Sequence, residues 1–358
     1  MFHTKKNIAM KKVFFLGIAA ATMLASCSKN ETVDVPQGKA IGFSNTFVDN
    51  ATRSVVDPSF TVGTLGNFAV YGFTQNGQIF DGVPVSSDDG GTSWTYSPTQ
   101  YWVEGNQYAF AAIAPASVSV SGAKLTGASV DDYKVEMTVS FINDGKTDLL
   151  YANGGAFNAD ETFMANPDPV SLTFKHQLSK VKFSFKNNVS GAYNIKVTDV
   201  KITDAKSTGT LTVSTAAENA WSNVGGTPLE LAFGAAGTTG VSTADAIAFG
   251  TEVETYNEQL MIPTASTESY NVTFTVELLN GTVSMGTYYH TATIEGVELE
   301  LGYCYDFAAE LNAENIVVDP DDPDAQLEPI TFTVKEISKW IDTNEDQTID
   351  IPSAEDGQ

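Results

Sequence analysis

The sequence predicts an all-β protein built of sandwiches, and three observations carry that prediction. Short segments alternate apolar and polar residues with a period of two, as strands do when they bury one face. Clusters such as Gln75-Asn76-Gly77, Asp88-Asp89-Gly90-Gly91, Asn143-Asp144-Gly145 and Leu279-Asn280-Gly281 punctuate them at short intervals, where the chain must turn. No segment holds a helical apolar period over three turns, while Thr, Ser, Gly, Val and Phe are abundant, a strand-forming composition. Many strands with frequent turns point to sandwiches.

The strands follow in order. Ile41, Phe43 and Phe47 share one parity, with Gly42, Ser44 and Thr46 on the other. Val170, Leu172 and Phe174 alternate with Ser171 and Thr173, and Val181, Phe183 and Phe185 with Lys182, Ser184 and Lys186. Val272, Phe274, Val276 and Leu278 alternate with Thr273, Thr275 and Glu277. Two prolines in Asn166-Pro167-Asp168-Pro169 interrupt the pattern and suggest a boundary. The domains expected are therefore 54–168 and 169–318. Residues 319–326, Asp-Pro-Asp-Asp-Pro-Asp-Ala-Gln, form an acidic linker kept extended by proline and by charge repulsion. Beyond it Ile330, Phe332 and Val334 alternate with Thr331 and Thr333. A strand in a segment (327–352) tethered this way points to a partner outside its own sandwich.

The N-terminus is an export signal. Lys11-Lys12, an apolar run from Val13 to Leu24 and then small residues give the order of a secretory signal peptide, here 1–26, with Met10 the more natural start. The run is too short to span a bilayer, which takes about 20 residues. Leu24-Ala25-Ser26-Cys27 has the form of a bacterial lipobox, in which Cys27 is lipidated and becomes the new N-terminus. Acyl chains at about 0.8 kcal/mol per buried methylene anchor a protein without a transmembrane helix.

Composition narrows the function. The 358 residues, 42% apolar, can fill two cores of ordinary size. Formal charge is −25 and becomes −29 once the four signal-segment lysines are removed, which disfavours nucleic acid and anionic membrane faces. With Cys27 lipidated only Cys304 remains, so no intramolecular disulfide forms, and Cys304 is expected to be a buried thiol. Arg53 is the sole arginine. It lies in the polar stretch 49–54, of the kind proteases nick, and is either a unique cleavage target, with the cut before Ser54, or an ordinary surface charge.

The lipobox, Lys39-Ala40-Ile41-Gly42-Phe43 and Asn50-Ala51-Thr52-Arg53 together resemble the N-terminus of the fimbrillin family, the type V pilins of Gram-negative gut and oral bacteria. Tyr101-Trp102, Tyr108-Ala109-Phe110-Ala111-Ala112, Asp148-Leu149-Leu150-Tyr151-Ala152 and His176-Gln177-Leu178-Ser179-Lys180-Val181-Lys182-Phe183 extend the match, as does Ile330 to Val334 followed by Trp340. The resemblance covers nearly the whole mature chain. It implies two tandem transthyretin-like β-sandwich domains with a C-terminal donor-strand segment. It implies export as an outer-membrane lipoprotein, cleavage after Arg53 by an arginine-specific protease, and removal of the lipidated segment 27–53 with the strand Ile41 to Phe47. A C-terminal strand of another subunit, within Ile330 to Ile351, then fills the groove. Partners are thus other pilin subunits, the outer membrane through the lipid on Cys27, and a host glycan or protein as receptor.

Family members also serve as lipid-retaining anchors and tip adhesins. The second reading is accordingly a lipid-retaining surface lipoprotein that binds glycans, with Trp94, Tyr96, Tyr101 and Trp102 as candidate stacking residues. No enzyme, cofactor or metal site is expected. His176 and His290 are too scattered for zinc, and Ser179-x-x-Lys182 lacks its companion motifs. The run 342–346 departs from a calcium loop at Gln347 and Ser353. Seven lysines between Lys175 and Lys206 mark a solvated sheet face, or a basic stripe that orients acidic neighbours along a fibre.

Overall fold

A computed structural model describes residues 38–48, 65–89, 91–191, 193–214, 219–317 and 327–340. Cys27, Arg53, Ser54, the whole Asp/Pro linker 319–326 and the part of the C-terminal segment beyond Trp340 lie outside the described residues. Among the described residues, nineteen strands, two short α-helices and one 3-10 turn (Val130–Asp132) make up the regular structure. The first strands are β1 (Phe43–Val48), β2 (Asn67–Thr74), β3 (Gly77–Ser86), β4 (Gln107–Ala114), β5 (Ser119–Thr126), β6 (Lys134–Ile142), β7 (Leu150–Asn158) and β8 (Val170–His176). Between β7 and β8 sits α1 (Glu161–Ala165), whose first turn is capped by the Asp160 carboxylate accepting from Phe163 N–H. The middle of the chain supplies β9 (Ser179–Asn187), β10 (Tyr193–Ala205), β11 (Thr208–Ser214), β12 (Ala220–Gly225) and β13 (Leu229–Gly234). Then come β14 (Glu252–Glu254), β15 (Gln259–Met261), β16 (Glu268–Asn280), β17 (Val283–Val297), β18 (Tyr303–Leu311), α2 (Ala313–Ile316) and β19 (Phe332–Lys339).

These strands form four sheets, and the fold is all-β as the alternation predicts. A six-stranded sheet runs β1-β8-β7-β4-β2-β3 and faces a four-stranded sheet β12-β11-β6-β5. The core between them takes Tyr71 and Phe73 from β2, Ile113 from β4, Met137 and Phe141 from β6, and Trp221 from β12. The second pair is β13-β10-β16-β17 against β14-β9-β18-β19, with β15 also on β9. Its core holds Phe183, Phe185, Phe233, Phe274 and Phe307.

Strands β2 and β4 are buried along nearly their whole length, so Tyr108-Ala109-Phe110-Ala111-Ala112 shows no alternation. The reason is a third cluster on the outer face of the six-stranded sheet, where Phe68, Phe80, Phe110, Trp102 and Phe174 gather. Gly72 lets these rings close up. A Cβ there would stand 2.7 Å from Phe80 and 2.9 Å from Phe110.

Sheet membership departs from the boundary expected at Asp168. β8 lies beyond it, yet pairs with β7 and β1 in the six-stranded sheet. β11, later still, pairs with β6. The prolines at 167 and 169 mark a connection inside one sandwich, and the chain crosses between sandwiches after β8, after β10 and after β12.

Candidate assembly site

The first strand is wedged into an aromatic groove. β1 is an edge strand parallel to β8, with Phe43 opposite Val170, Ser44 opposite Ser171 and Phe47 opposite Thr173. Just before it, Ile41 N–H donates to the Gln100 carbonyl at 2.9 Å, Trp102 N–H to Lys39 at 2.9 Å, and Val170 N–H to Gly42 at 2.8 Å. Residues 39–42 are thereby bonded on both sides. Ile41 is fully buried and Phe43 nearly so. The Phe43 ring meets Tyr96, Phe80, Phe68 and Phe110 edge-on, with centroids 5.6, 5.8, 6.2 and 6.5 Å away. Tyr96 donates its hydroxyl to the Ile41 carbonyl at 2.7 Å, and burial raises the pKa of that phenol. Burying Ile41 and Phe43, at about 1.5–3 kcal/mol each, supplies roughly 3–6 kcal/mol.

The aromatics proposed as sugar platforms are mostly this groove's walls. Trp102 is buried against Tyr108 and Phe163 at 4.7 and 4.9 Å. Trp94 packs on Phe68 at 4.9 Å and Tyr96 on Phe80 at 5.2 Å. Of the four, Tyr101 alone is exposed, and its backbone bridges Ala40. Core packing has claimed these rings, so the stacking role expected of Trp94, Tyr96 and Trp102 is not open to them here.

The C-terminal strand has a home in its own chain, contrary to expectation. β19 pairs antiparallel with β18, Phe332 opposite Ala309 and Val334 opposite Phe307. Ile330 and Phe332 are buried, and half-buried Val334 packs on the same core. Phe332 lies 5.2 Å from Phe183, 6.0 Å from Phe185 and 6.1 Å from Phe274, ring to ring. A linker fixes chain distance and not direction, and a gap of 319–326 is short enough for the strand to fold back beside β18.

Charge fastens the same edge. Asp306 of β18 is 2% exposed and accepts from the Ser184 hydroxyl at 2.8 and 2.9 Å. Lys335 of β19 stands 3.6 Å from it and also pairs with Glu252. Burial pushes the Asp306 carboxyl above its ordinary range, against the pull of Ser184, Lys182 and Lys335.

Five lysines of the lysine-rich region, Lys180, Lys182, Lys186, Lys201 and Lys206, pair with glutamates. Lys182 pairs with Glu254, Lys186 with Glu310 and Lys201 with Glu230, each at 2.8 Å, and Lys180 with Glu258 at 3.2 Å. Such solvent-exposed pairs are screened by water and add little stability. Ser179 Oγ is buried and donates to the Glu300 carbonyl at 2.7 Å, which commits it to structure. His176 faces Asp148 at 2.5 Å, both buried. Cys304, expected in a core, is half-buried at the edge of the first one. Among the described residues no three His, Cys, Asp or Glu side chains converge as metal ligands, and no helix is long and apolar enough to cross a membrane.

The sequence profile of the fimbrillin-like family matches residues 52–340. This chain belongs to that family. No curated protein matches it in sequence. Its fold is similar to that of a fimbrial protein from Bacteroides vulgatus, at 13% identity and a TM-score of 0.56, over 84% of this chain and 99% of that one. A weaker likeness, at 15% identity and a TM-score of 0.47, joins it to a candidate cell adhesion protein from Bacteroides ovatus, over 85% of this chain and 98% of that one. These likenesses concern fold. The fimbrillin membership rests on the sequence match.

Proposed function

We propose that this fimbrillin is a structural subunit of a surface fimbria, a type V pilus with a role in adhesion, and not an enzyme. Export as a lipoprotein on Cys27 brings it to the outer membrane, and an arginine-specific protease cuts between Arg53 and Ser54. The observation that carries this reading is the placement of β1. It is an edge strand whose covalent tie to the rest of the chain is the single connection 49–64, and Arg53 lies in that connection. One cut there makes the whole lipidated segment a separable strand.

Loss of residues 38–48 opens a groove lined by Phe68, Phe80, Tyr96 and Phe110 and leaves the β8 edge without a partner, a state a soluble protein does not tolerate. Strand addition from a neighbouring subunit restores both. Because Ile330, Phe332 and Val334 are engaged in their own core, the donor role passes to the rest of the C-terminal segment, Ile341 to Ile351. There Ile341, Ile349 and Ile351 supply the apolar side chains.

Electron microscopy of cells expressing a chain that ends at Trp340 tests this reading. A folded surface protein without fibres supports it. Fibres of normal length from that truncated chain contradict it.

A further inference from the structure

Strand β17, at fifteen residues the longest among those described, ends the sheet β13-β10-β16-β17. Tyr288, Ala292 and Ile294 turn into the second core, which leaves Thr287, Tyr289 and Thr291 on the outer face. One margin of the strand pairs with β16. The open stretch of the other margin is bounded at two places. Leu278 stands opposite Gly286 and Leu279 opposite Ser284, so Met285 is the extra residue of a bulge. Further on, Thr293 bridges Thr331. Between these points, from Gly286 to Ala292, the outer margin has no backbone partner among the described residues.

An open margin invites strand pairing, and folded proteins guard it with charge, proline or brevity. Apart from β1, the other sheet edges here are guarded. β3 carries Asp81 and Pro84, β5 Lys124, β13 Glu230, and β19 Lys335 and Glu336. β12 and β14 have only six and three residues. β17 has no such guard: Val283 to Ile294 contains no Asp, Glu, Lys, Arg or Pro. Tyr289 is 70% exposed, and Val283 and Met285, towards the start of the strand, are 63% and 52% exposed. A long, uncharged, partly apolar edge thus stands open in a chain of formal charge −25.

We propose that β17 pairs with β17 of a second copy, antiparallel and across a two-fold axis, which joins the two four-stranded sheets into one. Charge selects this occupant. A second copy carries the same excess of carboxylates and is repelled from most approaches, whereas two charge-free margins meet without repulsion. Geometry sets the register. A two-fold pairing that uses all of Gly286 to Ala292 centres on Tyr289, so Tyr289 faces its own counterpart and Thr287 faces Thr291, twice. Aromatic and threonine pairs of this kind stabilise antiparallel sheets. The same patch serves both subunits, as an isologous contact requires. Pairing needs neither a cut at Arg53 nor a donor strand, and it closes on two subunits.

Sedimentation equilibrium of the uncut chain from Ser28 tests this. We expect a reversible, concentration-dependent dimer that dissociates in SDS, unlike the ladder expected from strand exchange. Tyr289→Lys sets two ammonium groups face to face and should weaken the dimer about ten-fold, because like charges directly opposite destabilise a sheet. That side chain is exposed, so the variant monomer melts like the parent monomer. Tyr289→Cys should give a disulfide-linked dimer on mild oxidation, above the background set by Cys304, the sole thiol of this chain. Thr291→Cys should not, since its two copies lie about 14 Å apart in this register, beyond disulfide reach. Three results overturn the proposal: a monomer at every concentration, which leaves the edge to a strand of another protein; a dimer that Tyr289→Lys does not weaken; or cross-linking of Thr291→Cys as readily as of Tyr289→Cys.

Discussion

The indole of Trp340 lies flat on the imidazole of His176, ring centroids 3.6 Å apart and planes 6° from parallel. His176 ends β8 of the first sandwich, and Trp340 directly follows β19 of the second. The Asp148 carboxylate orients the imidazole at 2.5 Å. Trp340 N–H donates to the Gly302 carbonyl at 2.7 Å, and the Lys180 ammonium stands 5.1 Å from the indole centroid. The C-terminal strand is thus pinned at the junction of the two cores, and the segment beyond Trp340 starts from there.

Trp340→Ala removes a buried ring from this junction. We expect a loss of about 3–5 kcal/mol in unfolding free energy, measured by urea denaturation of the chain from Ser28. An unchanged midpoint would mean that the stack contributes nothing to holding the strand.

Deleting residues 327–358 strips Phe332 from Phe183, Phe185 and Phe274 and bares the β18 edge. The truncated chain should aggregate or lose the second sandwich, and Phe332→Ala alone should cost about 3–5 kcal/mol. Proteolysis mapped by mass spectrometry reports this as new cuts within β9, β16 and β18. A truncated chain that melts like the parent would place the strand outside its own sandwich after all.

Asp306 gives the second sandwich a pH signature. Burial holds its folded pKa above the unfolded value of 3.8, so the folded state binds the proton more tightly. Its contribution to stability is fully present below pH 3.8 and is lost as pH rises through the folded pKa. Asp306→Asn should therefore be more stable than the parent at pH 7, with the difference closing as pH falls into the carboxylate range. Glu252 and Glu254 remain to pair Lys335 and Lys182 in the variant. Thermal melts across pH 3–7 check the sign, and a variant less stable at pH 7 would show that the pairing with the two lysines outweighs desolvation.

A chain beginning at Ser54 lacks β1 from the start. It should bind an apolar dye such as ANS strongly, because the Phe68, Phe80 and Phe110 rings lose their cover. Added peptide spanning residues 38–48 should quench that signal, while the same peptide with Phe43→Asp should not, since burying an unpaired carboxylate costs several kcal/mol. Equal dye binding by the chains from Ser28 and from Ser54 would mean that the groove closes on itself.

The sequence made strand faces legible and strand partners not. Val170, Leu172 and Phe174 are buried as their alternation predicts, as are Val181, Phe183 and Phe185. Alternation says which side chains face a core, but both cores look alike from one strand. That is why β8 and β11 were expected in the second sandwich and Phe332 in a neighbour's. Trp94, Tyr96 and Trp102 failed for a related reason. Their loop covers a second buried face of the six-stranded sheet, and the unbroken apolar run at 108–114 was the one available hint of that face. The stack of Trp340 on His176 joins residues more than a hundred positions apart, beyond the reach of any local pattern.

The separable first strand is tested most directly by digesting the purified chain from Ser28 with an arginine-specific protease. Arg53 is the sole arginine, so one cut is possible. We expect that cut to be followed by an SDS-resistant ladder of multimers, absent from Arg53→Ala and from a chain ending at Trp340. Complete cleavage that leaves a monomer still holding residues 28–53 would contradict strand exchange, and a ladder from the chain ending at Trp340 would contradict the assignment of the donor.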